Sequence, residues 1–212
     1  MSTLLIGILA AVLAAATPDA QNQAPSKAGA DVAVSSTPTD PVEQAYEKLL
    51  EEDDAAQAEA DKWIREAKAF KTKGAPLSEE ALSVRIEQRL APVKKAYDDF
   101  LQQHPNHTRA RLAYGSFLYE TQDEDDGVAQ WEKARQLDPS NPAAWNNLAN
   151  HYGHRGPVTK AFDYYTKAIE LNPNEPVYLQ NLATTVYLFR KDAMEFYHTD
   201  EKQVFDRSLE LY

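Results

Sequence analysis

Two histidine pairs stand three residues apart, His104/His107 across a proline and His151/His154 at helical spacing, and each pair offers imidazole nitrogens to a metal. Neither pair has a third ligand placed by the sequence, so no metal site is expected. Glu120–Asp126 (ETQDEDD) packs five carboxylates into seven residues. Calcium takes six or more oxygens, but this run lacks a distal bidentate glutamate, and acidic residues before a helix are what the helix dipole favours. The chain has no cysteine, which excludes thiolate metal ligation and thiol nucleophiles. No glycine-rich loop follows a strand and no Ser/His/Asp set can be assembled, so neither a cofactor nor a catalytic residue is expected. What remains is the hydrogen bonding of carboxamide side chains. A carboxamide holds one acceptor and two donors and can pair with both polar groups of a peptide unit, whatever side chain that unit carries.

Positioning such groups needs a scaffold, and 212 residues with 43% hydrophobic and 26% charged suffice for one domain with a core or a short repeat array. Lys and Arg number 22 against 33 Asp and Glu, a net charge of −11. That charge repels nucleic acid and anionic membrane surfaces.

Leu4–Ala16 (LLIGILAAVLAAA) is thirteen apolar residues, too short to span a bilayer as a helix. With Ala14 and Ala16 before Thr17, and Ala20 as a second end point, residues 1–20 are expected to be a secretory signal, giving a periplasmic or secreted protein. No Lys or Arg precedes Leu4, so an uncleaved membrane anchor is the alternative. Residues 21–39, mostly small and polar, form a disordered linker.

Residues 40–104 read as an N-terminal helical region. Asp40, Pro41 and Glu43 make a helix start in which Glu43 reaches back to the cap. Val42, Tyr46, Leu49, Asp53, Ala56, Ala60, Trp63, Ala67 and Phe70 then follow steps of four and three, a heptad-like seam broken at Asp53. The seam is expected to lie on helices of the same chain; the alternative is a self-associating structural adaptor that uses it to form homo-oligomers. Gly74-Ala75-Pro76 ends this helix, Leu77-Ser78 caps a second, and Pro92 inside the second predicts a kink or restart.

Self-similarity carries the most information. Pro105, Pro139 and Pro173 are spaced by thirty-four residues, each after a helical stretch. The same offset aligns Gly115 with Ala149 and Ala183, Leu118 with Tyr152 and Val186, Gly127 with Ala161, and Trp131 with Tyr165. Small residues recur where helices cross closely, and large ones where space is filled. Trp145, Leu148, Ala149, Tyr152, Gly156, Ala161, Tyr165, Ala168 and Pro173 in residues 142–175 resemble the tetratricopeptide repeat. Residues 108–141 are a looser copy, with Arg111 at an aromatic place and Gly127 at an alanine place. Residues 176–212 are a partial third repeat in which Ser208 and Tyr212, rather than Glu195 and Thr199, fit the small and aromatic places, leaving an insertion near 191–200. The tetratricopeptide domain is thus 105–212, and residues 91–104 look like half of a degenerate leading unit. The third repeat reaches Tyr212 before its closing turn; a longer natural product is expected, with a partner chain over that edge as the alternative.

The resemblance implies an all-α, right-handed α-solenoid of helix-turn-helix repeats, preceded by one or two long amphipathic helices. It also implies a non-enzymatic scaffold that binds a partner protein or extended peptide on its concave surface, and the expected signal places that scaffold in the cell envelope. First-helix positions outside the core are Arg109, Leu112, Ser116 and Tyr119; Asn146, Asn147, Asn150 and His154; and Gln180, Asn181, Thr184 and Tyr187. Asn147 and Asn181 fall one period apart, where some family members carry an asparagine ladder on a peptide backbone, though Ala113 breaks the ladder in the first unit. The family's clamp for a C-terminal carboxylate is not met, since Asn146 stands where it needs lysine.

Overall fold

The computed structural model describes residues 40–72, 78–121 and 123–211. The expected signal and linker (1–39), Gly74-Ala75-Pro76, Leu77 and Tyr212 lie outside the described residues, as does the side chain of Phe70. The described residues form nine α-helices and no strand: α1 (Pro41–Thr72), α2 (Glu79–Gln103), α3 (Thr108–Glu120), α4 (Glu124–Leu137), α5 (Pro142–Arg155), α6 (Val158–Leu171), α7 (Pro176–Leu188), α8 (Arg190–Tyr197) and α9 (Glu201–Leu211). None is long and apolar enough to cross a membrane.

Asp40 caps α1, its Oδ1 accepting from the Val42 N–H at 2.9 Å. Glu43 does not complete the expected capping box. It turns instead to α3, where Arg109 donates to its Oε2 at 2.8 Å and His107 Nε2 lies 3.2 Å from its Oε1. The Arg109 guanidinium, with the imidazole of the capping His107 beside it, outcompetes a single backbone N–H. The seam of α1 is filled from within: Tyr46, Leu49 and Ala56 pack with Val93, Tyr97 and Phe100 of α2 and with Ala110, Tyr114 and Phe117 of α3. Asp53 is a buried hydrogen-bond acceptor on this interface, taking the Tyr97 hydroxyl at 2.7 Å and Gln57 Nε2 at 2.6 Å. Further along, Ala60, Trp63 and Ile64 meet Leu82 and Ile86. From Tyr46 to Ala60 the seam on which self-association rested is thus covered by the chain's own helices, while Trp63 and Ala67 are partly buried. Pro92 does not restart α2, which runs unbroken through it with the ring on the exposed side. Buried Ile86, Val93, Tyr97 and Phe100 hold both halves of that helix to one core, which offsets the missing N–H.

The helices of the repeats start on side-chain caps. His107 Nδ1 accepts from the Ala110 N–H, Asn141 Oδ1 from Ala143 and Glu175 Oε1 from Val177, with Pro142 and Pro176 opening α5 and α7. Arg111 explains its departure from the aromatic preference. Trp145 Nε1 donates to the Pro139 carbonyl at 2.9 Å, and one unit earlier Arg111 Nη2 and Nε donate to the Pro105 carbonyl at 2.6 and 2.8 Å. The place requires an N–H reaching back six residues to the turn.

Within a unit the two helices cross at small residues. A Cβ on Gly127 would stand 2.7 Å from the Gly115 carbonyl oxygen, and one on Gly115 would stand 2.5 Å from the Trp131 ring. Alanine, the residue the repeat prefers at 127, therefore does not fit here. Gly127→Ala is expected to destabilise the protein by about 1–3 kcal/mol by overpacking, read as a lowered denaturation midpoint. An unchanged midpoint would show that the crossing is looser than described.

In the third unit α9 packs on α7, and the buried Ser208 hydroxyl donates to the Ala183 carbonyl at 3.0 Å. The intervening α8 folds back on α6, placing Phe196 and Tyr197 against Phe162 at ring-centroid distances of 5.3 and 5.6 Å.

Candidate functional site

The first helices of successive units touch one another, α1 with α3, α3 with α5 and α5 with α7, whereas α4 and α6 do not meet among the described residues. First helices therefore line the inner, tighter side of the stack. The candidate residues on them are held in different ways.

Arg109 is paired with Glu43, and its guanidinium sits 4.9 Å above the Tyr46 ring. Leu112 and Ser116 are buried, and the Ser116 hydroxyl donates back to the Leu112 carbonyl. Tyr119 lays its ring on Trp131 at 4.9 Å and meets His151 edge-on at 5.9 Å. Burial pushes the Tyr119 hydroxyl pKa up, partly opposed by Arg155, which is itself paired with Glu124. Burial likewise lowers the pKa of His151, so its neutral form is favoured, and its Nδ1 is buried with no hydrogen-bond partner.

The carboxamides are the least expected part of the site. Asn146 and Asn147 are 0% and 1% exposed. Asn181 does not form a rung with Asn147; its Nδ2 donates across the repeat boundary to Asn146 Oδ1 at 3.0 Å. Asn146 Nδ2 and Asn147 Oδ1, one donor and one acceptor on adjacent residues, are buried and have no partner. Asn150 Oδ1 accepts the Tyr165 hydroxyl from α6 at 2.6 Å, so this amide is committed within its own unit. Gln180 is half-buried, while Thr184, Tyr187 and His154 are exposed.

The features that resembled metal chemistry resolve into ion pairs and caps. Asp123 meets Lys94 at 3.2 Å, Glu124 meets Arg155, and Asp125 and Asp126 are exposed at the start of α4, where the dipole favours them. No group of three metal-ligating side chains gathers among the described residues. Sequence reasoning missed the Asn146–Asn181 bond and the unpartnered His151 nitrogen. Both depend on how far each unit is rotated relative to the last, which a repeat period does not encode.

The architecture is that of stacked helical hairpins with a polar inner face. Residues 122–176 match the tetratricopeptide repeat family, so this part of the chain is built of tetratricopeptide repeats. Over 82 residues it is 34% identical to the peroxisomal targeting signal receptors of Komagataella phaffii and Komagataella pastoris, a match covering 39% of this chain. The chain spans only 14% of the length of those relatives. Among solved structures it is similar to MamA from Desulfovibrio magneticus RS-1 (residues 41 to the end), at 19% identity and a TM-score of 0.46, over 76% of this chain and 94% of that one. It is also similar to PilF of Pseudomonas aeruginosa, at 19% identity and a TM-score of 0.45, over 78% of each.

Proposed function

We propose that this protein is a non-enzymatic scaffold that holds a segment of a partner protein in extended form along α3, α5 and α7. The observation that carries the reading is the pair of unpartnered amide atoms, Asn146 Nδ2 and Asn147 Oδ1. A buried polar atom without a partner costs about 1–3 kcal/mol, and one peptide unit offers the carbonyl and N–H that would relieve both. Binding through the backbone gives little preference for sequence, which suits a scaffold. Exposed Thr184 and Tyr187 and half-buried Gln180 extend the same face toward the third unit. The relatives named above are receptors for a targeting signal, which supports recognition rather than catalysis. The apolar run Leu4–Ala16 supports a place for the protein in the cell envelope.

The test is retention of an array of random dodecapeptides by the wild type and by Asn146→Ala/Asn147→Ala. The wild type is expected to hold many unrelated sequences, and the double variant to lose about 10-fold or more in affinity while its stability stays within about 1 kcal/mol. Equal retention by both proteins would end this reading. A self-associating adaptor built on the α1 seam is not favoured, because Tyr46, Leu49 and Ala56 are already buried within the chain.

A further inference from the structure

Among the described residues, the buried side-chain atoms left without a hydrogen-bond partner are Asn146 Nδ2, Asn147 Oδ1, His151 Nδ1 and the Tyr197 hydroxyl. Three of the four lie within six residues of α5, so the shortfall belongs to one stretch of one helix. Asn147 and His151 are four residues apart, which sets them on one face of α5 with a rise of about 6 Å between them. Tyr119 of α3 meets the His151 ring edge-on at 5.9 Å, and Tyr152 flanks it at 5.2 Å. With its proton on Nε2, a neutral imidazole offers Nδ1 as an acceptor. Asn147 Oδ1 and His151 Nδ1 then form a row of two acceptors, neither of them answered from within the chain.

We infer that His151 Nδ1 is a further binding atom for the partner segment, accepting a backbone N–H one turn beyond the one taken by Asn147. This rests on the amide reading above and extends it. Along one edge of an extended peptide the N–H groups recur at every second residue, about 6.7 Å apart, close to the one-turn spacing of Asn147 and His151. A segment that gives one N–H to Asn147 therefore brings its next N–H on that edge to His151, and over this stretch it runs lengthwise along α5. The contact also makes binding sensitive to acid, because protonation turns Nδ1 from an acceptor into a donor. The groups facing the imidazole are Tyr119 of α3, Glu124 and Asp125 of α4, and Tyr152, His154 and Arg155 of α5 itself. Burial lowers the His151 pKa, Arg155 and His154 act in the same direction, and Glu124 and Asp125 oppose them. The acceptor is thus in place at neutral pH and is lost as the pH falls through and below the ordinary imidazole range.

The test is titration calorimetry of the full chain with the dodecapeptide that the wild type holds best, from about pH 8 to about pH 5, for the wild type and His151→Phe. Phenylalanine keeps a ring against Tyr119 and Tyr152 but has no acceptor. At neutral pH His151→Phe is expected to bind about 5-fold more weakly, and the weakening in acid seen with the wild type is expected to shrink by that same factor. A second series replaces each backbone N–H of the peptide in turn by an ester oxygen. The wild type should lose affinity at two positions two residues apart, and His151→Phe at only one of them. Because the substitution removes an unpartnered buried nitrogen, the melting temperature of His151→Phe should not fall below that of the wild type. His151→Phe binding like the wild type at every pH, or an unchanged ester profile with a lowered melting temperature, overturns the inference and leaves the amide reading standing. A peptide held equally by Asn146→Ala/Asn147→Ala ends both.

Discussion

Replacing Trp131 with alanine is expected to cost about 3–5 kcal/mol, the largest effect of any single truncation considered, and to lower the melting temperature by about 10 °C or more. Trp131 is 0% exposed, its Nε1 donates to the Leu112 carbonyl at 3.2 Å, and its indole lies over Gly115 at the point where α3 and α4 come closest. Truncation leaves a cavity the size of an indole that Gly115 and Gly127 have no side chains to fill. Tyr119, which rests on that ring, also loses its support, and with it the edge-on contact to His151. The variant should therefore loosen the first unit and its junction with α5 together. A loss under about 1 kcal/mol in a denaturant titration would mean that the first unit is not organised around this residue.

The second large effect is expected at Asp53. Its carboxyl group takes the buried Tyr97 hydroxyl at 2.7 Å, and burial together with the nearby Asp53 charge holds the Tyr97 pKa well above the ordinary phenol range. Tyr97 is also stacked on Tyr114 at 4.9 Å, so it cannot swing out to water without disrupting the α2–α3 contact. Asp53→Ala strands that hydroxyl and should cost about 2–3 kcal/mol. Removing both polar partners is a different matter. Asp53→Leu with Tyr97→Phe leaves no buried orphan, since half-buried Gln57, which also bonds Asp53, can turn to water, and the pair is expected to lie within about 1 kcal/mol of the wild type. If the double variant is as unstable as Asp53→Ala, the cost comes from packing rather than from the stranded hydroxyl.

The fold was legible because Trp145, Tyr152, Ala161 and Pro173 each answer a separate physical demand at a fixed offset: filling space, allowing close crossing, ending a helix. Contacts between units were not legible to the same depth. Asp53 reads as a polar break in a zipper, but Tyr97, forty-four residues away, turns it into a hydrogen-bond acceptor. Glu43 reads as half of a capping box, but Arg109 and His107 draw it across to α3. Asn181 aligns with Asn147 by period, yet bonds to Asn146, because the twist between α5 and α7 decides which neighbour is met. The eight residues of α8 have no counterpart in the other units, so no comparison between repeats identifies them as a helix lying on Phe162.

The recognition face is tested most directly by residue-level hydrogen exchange of the wild type with and without a saturating dodecapeptide from the random array. Exchange is predicted to slow in α3, α5 and α7, around residues 108–120, 142–155 and 176–188, and to stay unchanged in α4 and α6. Slowing centred on α4 and α6, or on the α1–α2 hairpin, would place the peptide elsewhere and contradict the account.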